Sequence, residues 1–142
     1  MSPESKVRLN VFVPGRPAPQ GSKHYFGPGR VVEMSKYVAG WRADIREVLV
    51  RVWGGQPPMT GAVVMGLEFV LPRPASTPKT RTPLAIKRPD WDKLSRAVCD
   101  AITSAGVYKD DSQVIDAWVH KRLAGVDEQT GCRIRLLEIL DE

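Results

Sequence analysis

Residues 87–116 read KRPDWDKLSRAVCDAITSAGVYKDDSQVID, and the fold turns on how this stretch is organised. Leu94, Ala97, Val98, Ala101, Ile102 and Ala105 recur at the i, i+3, i+4, i+7 spacing of one buried helix face, with Lys93, Arg96, Asp100 and Thr103 elsewhere on the wheel. That spacing predicts a helix over Asp92–Ala105, N-capped by Asp92 and ended by Gly106 in the left-handed conformation. Asp90 and Asp92 stand at its mouth, and Asp110 and Asp111 lie just beyond its end. Crowded carboxylates repel one another, so a fold that gathers them calls for a divalent cation or a shared proton. Pro89 favours extended backbone at Arg88, and an extended segment puts Asp90 and Asp92 on one side, placed to share a ligand.

The flanking sequence supplies a sheet for this helix. Before it, Ala62–Leu71 alternates through Val63, Met65, Leu67, Phe69 and Leu71 as a central strand does. After it, Val114–Leu123 and Arg133–Leu140 read as two strands joined by the polar turn GVDEQTG, and an antiparallel hairpin is expected. Near the N-terminus, Lys6–Val13 alternates Val7, Leu9, Val11 and Val13 against Arg8, Asn10 and Phe12. A small hairpin is expected over His24–Met34, turning at Phe26–Arg30. Ser35 suits the N-cap of a first helix, Lys36–Val52, that buries Val38, Trp41, Ile45, Val48, Leu49 and Val52. The expected fold is a single α/β domain over residues 1–142, a mixed sheet with two main helices packed on it.

Composition narrows the function classes. Hydrophobic residues at 42% and charged residues at 26% are those of an ordinary globular protein, and no apolar run approaches the ~20 residues that cross a bilayer. Met1–Lys6 has no signal-peptide character, so a cytoplasmic location with no membrane partner is expected. Cys99 and Cys132 are too few for a zinc site, and His24 and His120 do not complete one. The formal charge is +5, and the excess is concentrated. Residues 13–32 and 71–89 contain basic residues and no acid, as expected of loops that meet phosphates. The second of these, PRPASTPKTRTPLAIKRP at about 72–89, is too long for a bland connection and is expected to order on DNA. Arg16 and Lys23 from the first loop, and Arg73, Lys79, Arg81, Lys87 and Arg88 from the second, are the candidate DNA contacts. Arg42, Arg46 and Arg51 read more simply as a solvated helix face.

Residues 89–114, PDWDKLSRAVCDAITSAGVYKDDSQV, resemble the signature block of the RusA family of Holliday junction resolvases, nucleases that nick four-way DNA junctions. Residues 13–26, VPGRPAPQGSKHYF, are similar to the opening of phage-borne members. The resemblance implies a RusA-like fold, a homodimer, magnesium or manganese as cofactor, and branched DNA as substrate. By position it implies Asp90, Asp92 and Asp111 as the main metal ligands, Asp110 as an accessory carboxylate, and Arg96 as the catalytic basic residue. Two departures bear on that last role. Lys93 stands where many members have Asn, and Arg96 where some have Lys, so either cation is a candidate for transition-state charge.

Other readings use the same residues. Asp92 as a cap and Asp110 in a turn are structural roles, and the basic loops would also serve a non-catalytic DNA-binding module or a nuclease of other branched DNA. An EF-hand is a poor match, lacking the Gly and terminal Glu of that loop. Trp91 is expected to pack beneath the loop. Length raises a further question. A helix over Asp92–Ala105 is about 20 Å long, and the six residues to Asp111 span about 20 Å only when fully extended. Either the chain doubles straight back or Asp111 of one subunit meets Asp90 and Asp92 of another, with the shared arrangement preferred.

Overall fold

The computed structural model describes residues 4–21, 23–25, 31–33 and 37–140. Its centre is β4 (Ala62–Leu71), the strand whose alternating apolar residues Val63, Met65, Leu67, Phe69 and Leu71 are all buried. The helix α2 (Trp91–Ser104) carries the chain from β4 to β5 (Val114–Leu123), which lies parallel to β4. A parallel neighbour requires such a crossover, and α2 supplies it. β6 (Gly131–Leu140) pairs antiparallel with the other edge of β4, and β1 (Glu4–Pro14) pairs antiparallel with β6, giving the order β1-β6-β4-β5.

That order corrects one expectation. β5 and β6 do not form a hairpin, because β4 lies between them. β4 is apolar on both faces at its end, where Phe69, Val70 and Leu71 are all buried, and such a strand is most stable with both edges hydrogen-bonded. The link over 124–130 therefore crosses the end of β4, and Ala124 N donates to Leu71 O at 2.8 Å on the way. Gly131 is needed where the link rejoins the sheet, since a Cβ there would lie 2.2 Å from the Val13 carbonyl oxygen.

α1 (Val38–Trp53) and α2 pack side by side on one sheet face, and their buried residues merge with those of β1, β4 and β6 into one core. α2 buries Leu94, Ala97, Val98, Ala101 and Ile102 as expected, and Gly106 takes a φ of 76° after its end. In α1 the stripe runs Val38, Trp41, Ile45, Leu49 and Trp53. Val52, expected inside, is exposed, because Trp53 continues the steps of four. Ser35 as a cap lies outside the described residues, and the helix begins after Tyr37. A bulge between Val7 and Leu9 likewise turns Val7 out of the core. Residues Lys23–Tyr25 (β2) and Val31–Glu33 (β3) form the small antiparallel hairpin, whose turn lies outside the described residues. Among the described residues no helix is long and apolar enough to cross a membrane.

Candidate active site

The crossover places the two aspartate pairs at opposite ends of α2. At its N-terminal end Asp90, not Asp92, is the N-cap, in extended backbone and with no side-chain cap bond, so its carboxylate is free for other partners. Lys93 Nζ stands 3.8 Å from Asp90 Oδ2. Asp92 is in the first helical turn, where the partial positive charge of the helix end favours an anion. The segment that leads in is pinned by Lys121 on β5, whose ammonium donates to Lys87 O at 2.7 Å and to Pro89 O at 2.8 Å. Trp91, expected to pack, is 59% exposed.

At the other end the DDSQ sequence forms a short 3-10 turn, Asp111–Gln113. Asp110 Oδ1 accepts from Ser112 N at 2.8 Å, while Gln113 Oε1 accepts from the Lys109 and Asp110 amides at 2.8 and 3.0 Å. Gln113 Nε2 then donates to Met59 O and Gly61 O at 2.9 and 3.0 Å, fastening the turn beside the start of β4. The Ser112 amide holds the Asp110 carboxyl below its usual range. Its neighbour moves the other way: the hydrogen bond with Asp110, then partial burial, then the charges of Asp110 and Asp100 hold the Asp111 carboxyl above its usual range. Contact between the two carboxyls thus pushes them in opposite directions.

Between the two ends lies a group that sequence reasoning passed over. Asp100 accepts from Gln20 Nε2, Gln20 Oε1 accepts from Arg42 at 2.8 Å, and Arg42 stands 4.0 Å from Asp100. Gln20 N also donates to Lys93 O at 3.0 Å, so the Pro-rich N-terminal loop is stapled along α2 next to Arg96. Arg46 continues the row with a 3.0 Å bond from Nε to Ser104 Oγ. Arg42 and Arg46 therefore bond toward α2, while Arg46 stays exposed as a solvated helix face would. The signal was present in the spacing of Asp92, Arg96 and Asp100 at i, i+4, i+8, which puts them on one exposed stripe.

Among the described residues no three His, Cys, Asp or Glu side chains come close enough to hold a metal ion. Asp90 and Asp92 open α2, while Asp110 and Asp111 follow it, and Asp111 lies close enough to Asp100 and Cys99 for its charge to act on both.

A family model, endodeoxyribonuclease RusA, matches residues 14–136. The chain belongs to the RusA endodeoxyribonuclease family. No curated protein matches it.

In this RusA-family chain the candidate DNA contacts separate into two kinds. Lys79, Arg81, Lys87 and Arg88 are exposed, and among the described residues their side chains make no hydrogen bond or ion pair. Arg73 is different. Its guanidinium donates to Thr82 Oγ1 at 2.8 Å, Ala124 O at 3.3 Å, Pro78 O at 2.5 Å and Arg81 O, so it organises the loop instead of reaching out of it. Arg16 lies 5.0 Å over the Tyr37 ring. Lys23 is the first residue of β2. Cys99 packs with its Sγ 3.9 Å from Met65 Sδ, and burial above all pushes its thiol up.

Proposed function

We propose that this RusA-family chain is a magnesium-dependent endonuclease, active also with manganese, that resolves four-way DNA junctions by two symmetric nicks. It acts in the cytoplasm as a homodimer with two shared active sites. The observation that carries the reading is the arrangement of the acidic block within the matched region, with Asp90 and the half-buried Asp92 where α2 begins and the exposed Asp110 and Asp111 in the turn that follows it. Asp90 and Asp92 of one subunit, with Asp111 and Asp110 of the other, complete a donor set of hard oxygens that suits magnesium. When bound there, the cation supplies charge neutralisation at the phosphodiester and an acidified water.

The chain's own residues prepare that meeting. Lys121 fixes the approach to Asp90, and Gln113 fixes the DDSQ turn, so neither carboxylate pair has to be ordered when DNA arrives. Lys93 and Arg96 lie on the α2 turn beside Asp92 and stabilise the extra negative charge of the pentavalent phosphate. A C2 dimer matches the approximate two-fold symmetry of a four-way junction, so the two nicks fall on opposite strands.

Subunit mixing tests this directly. Asp92→Asn and Asp111→Asn each abolish nicking of a synthetic junction in magnesium while junction binding persists. Mixing Asp90→Asn with Asp111→Asn subunits restores nicking at one strand per particle, since one of the two shared centres is then intact. Full nicking by either homodimer removes the enzyme reading in favour of a non-catalytic DNA-binding module. No recovery in the mixture removes the shared site. Flap and linear duplex substrates, assayed alongside, separate junction resolution from action on other branched DNA.

A further inference from the structure

The loop between β4 and α2 presents two aliphatic side chains to water at its tip. Leu84 is 83% and Ile86 is 85% exposed, more than any other large apolar residue among those described. Their display is built. Ile86 N donates to Leu84 O at 3.0 Å, closing a three-residue turn, and Ala85 at its centre packs against the core. One stem of the loop is gathered by the four bonds of Arg73, and the other is held by Lys121 at Lys87 and Pro89. A loop so tied down pays no folding advantage for holding Leu and Ile in solvent, where each forgoes the burial that drives folding.

Charge identifies what covers them. The segment Pro72–Pro89 has five basic residues, Arg73, Lys79, Arg81, Lys87 and Arg88, and no acidic one, and four of the five point no hydrogen bond back into the protein. Exposed aliphatic side chains in a segment of free cations fit a polyanion that offers apolar surface, and the faces of bases are that surface once a stack opens. Aliphatic side chains inserted at a base step are a known means of opening it, at the cost of unstacking. At the branch point of a four-way junction the strands exchange between arms, so opening the flanking base step breaks one arm-on-arm stack and exposes a base face to an inserted side chain.

We infer that Leu84 and Ile86 are a wedge that enters the opened base step at the branch point, while Lys87 and Arg88 hold the adjoining phosphates. The inference rests on the junction-nuclease reading, and it assigns preference for branched over linear DNA to two residues outside the acidic site.

The test uses the full chain in EDTA and a synthetic junction carrying 2-aminopurine beside the crossover, a base that brightens when unstacked. Wild-type protein raises the fluorescence. In the Leu84→Ser/Ile86→Ser variant the rise is lost at saturating protein, and the ratio of junction to duplex affinity falls by about tenfold or more. Leu84→Ile/Ile86→Leu, which keeps the apolar tip, restores both. Lys87→Ala/Arg88→Ala weakens binding to both DNAs yet keeps the rise at saturation. Because both wedge residues are exposed, the serine variant should fold, and an unshifted thermal melt confirms it. A rise that persists in the serine variant overturns the wedge, as does a shift of that variant from dimer to monomer with the rise intact, which assigns the tip to a subunit contact. Wild-type protein that nicks the junction in magnesium but brightens no base overturns the wedge and leaves the nuclease reading standing. Brightening without nicking does the reverse.

Discussion

Arg73 and Lys87 are two cations of one Pro-rich loop, and nothing in their local sequence tells them apart. In three dimensions Arg73 spends its planar fork on three oxygens of its own loop and on Ala124 O of the link after β5, a task that five fixed donors perform and a single ammonium does not. Lys87 keeps its ammonium free and lends only its carbonyl, to Lys121. The two predict different phenotypes. Lys87→Ala should lower the slope of log affinity against log salt by about 1, the loss of one phosphate contact, with the loop intact. Arg73→Ala should leave several carbonyls without donors and loosen the loop, so limited trypsin digestion at Lys79 and Arg81 speeds up before any DNA is added. An Arg73→Ala protein that resists trypsin as wild type does, and loses only salt slope, would make Arg73 a phosphate contact after all. Here the sequence was read at the level of residue type, and type alone does not distinguish a cation that faces inward from one that faces out.

The elements themselves were legible wherever one face is buried. The period-two pattern of Ala62–Leu71 and the helical stripe from Leu94 to Ile102 survive unchanged because burial imposes them. Strand order was not legible, since the pattern of β5 or β6 says which face is covered and nothing about which edge is paired. The link across β4 is where that shows. Arg122 grips Glu128 with two bonds of 2.7 Å, and Gly125 N donates to Glu128 Oε1 at 2.8 Å, closing a link that passes over another strand. The Arg122 guanidinium, with the Gly125 amide, lowers the Glu128 pKa from 4.5 to about 2. A folded pKa below the unfolded one gives stabilisation that is complete above about pH 4.5 and is lost as pH falls through about 2. The pair is partly exposed, so its contribution is below about 1 kcal/mol. Glu128→Gln should therefore melt a few degrees lower than wild type at pH 6, with the difference fading as pH approaches 2. A difference that is constant over that range would mean that the link is held by something other than this charge pair.

At the scale of the whole molecule, the crossover that makes α2 a good helix also keeps the family's aspartates apart. β4 and β5 are parallel, so the chain must enter α2 at one end of the sheet and leave it at the other, and Asp90 and Asp111 inherit that separation. The DDSQ turn is fastened by Gln113 to the start of β4, which holds Asp111 alongside the C-terminal half of α2 and removes the freedom to swing toward Asp90. The separation is therefore a property of the topology, and on the proposed function it is the second subunit that bridges it. This makes catalysis depend on association in a way that DNA binding need not, since each protomer carries its own basic loops. Nicking per subunit, measured at saturating magnesium, should fall in proportion to dimer as the protein is diluted through its dissociation constant, which sedimentation measures independently. Adding inactive Asp90→Asn protein at those dilutions should partly restore the rate by supplying Asp111 in trans. A specific activity that stays flat into the monomer range would place a working site within one chain, and the shared centre would have to be abandoned.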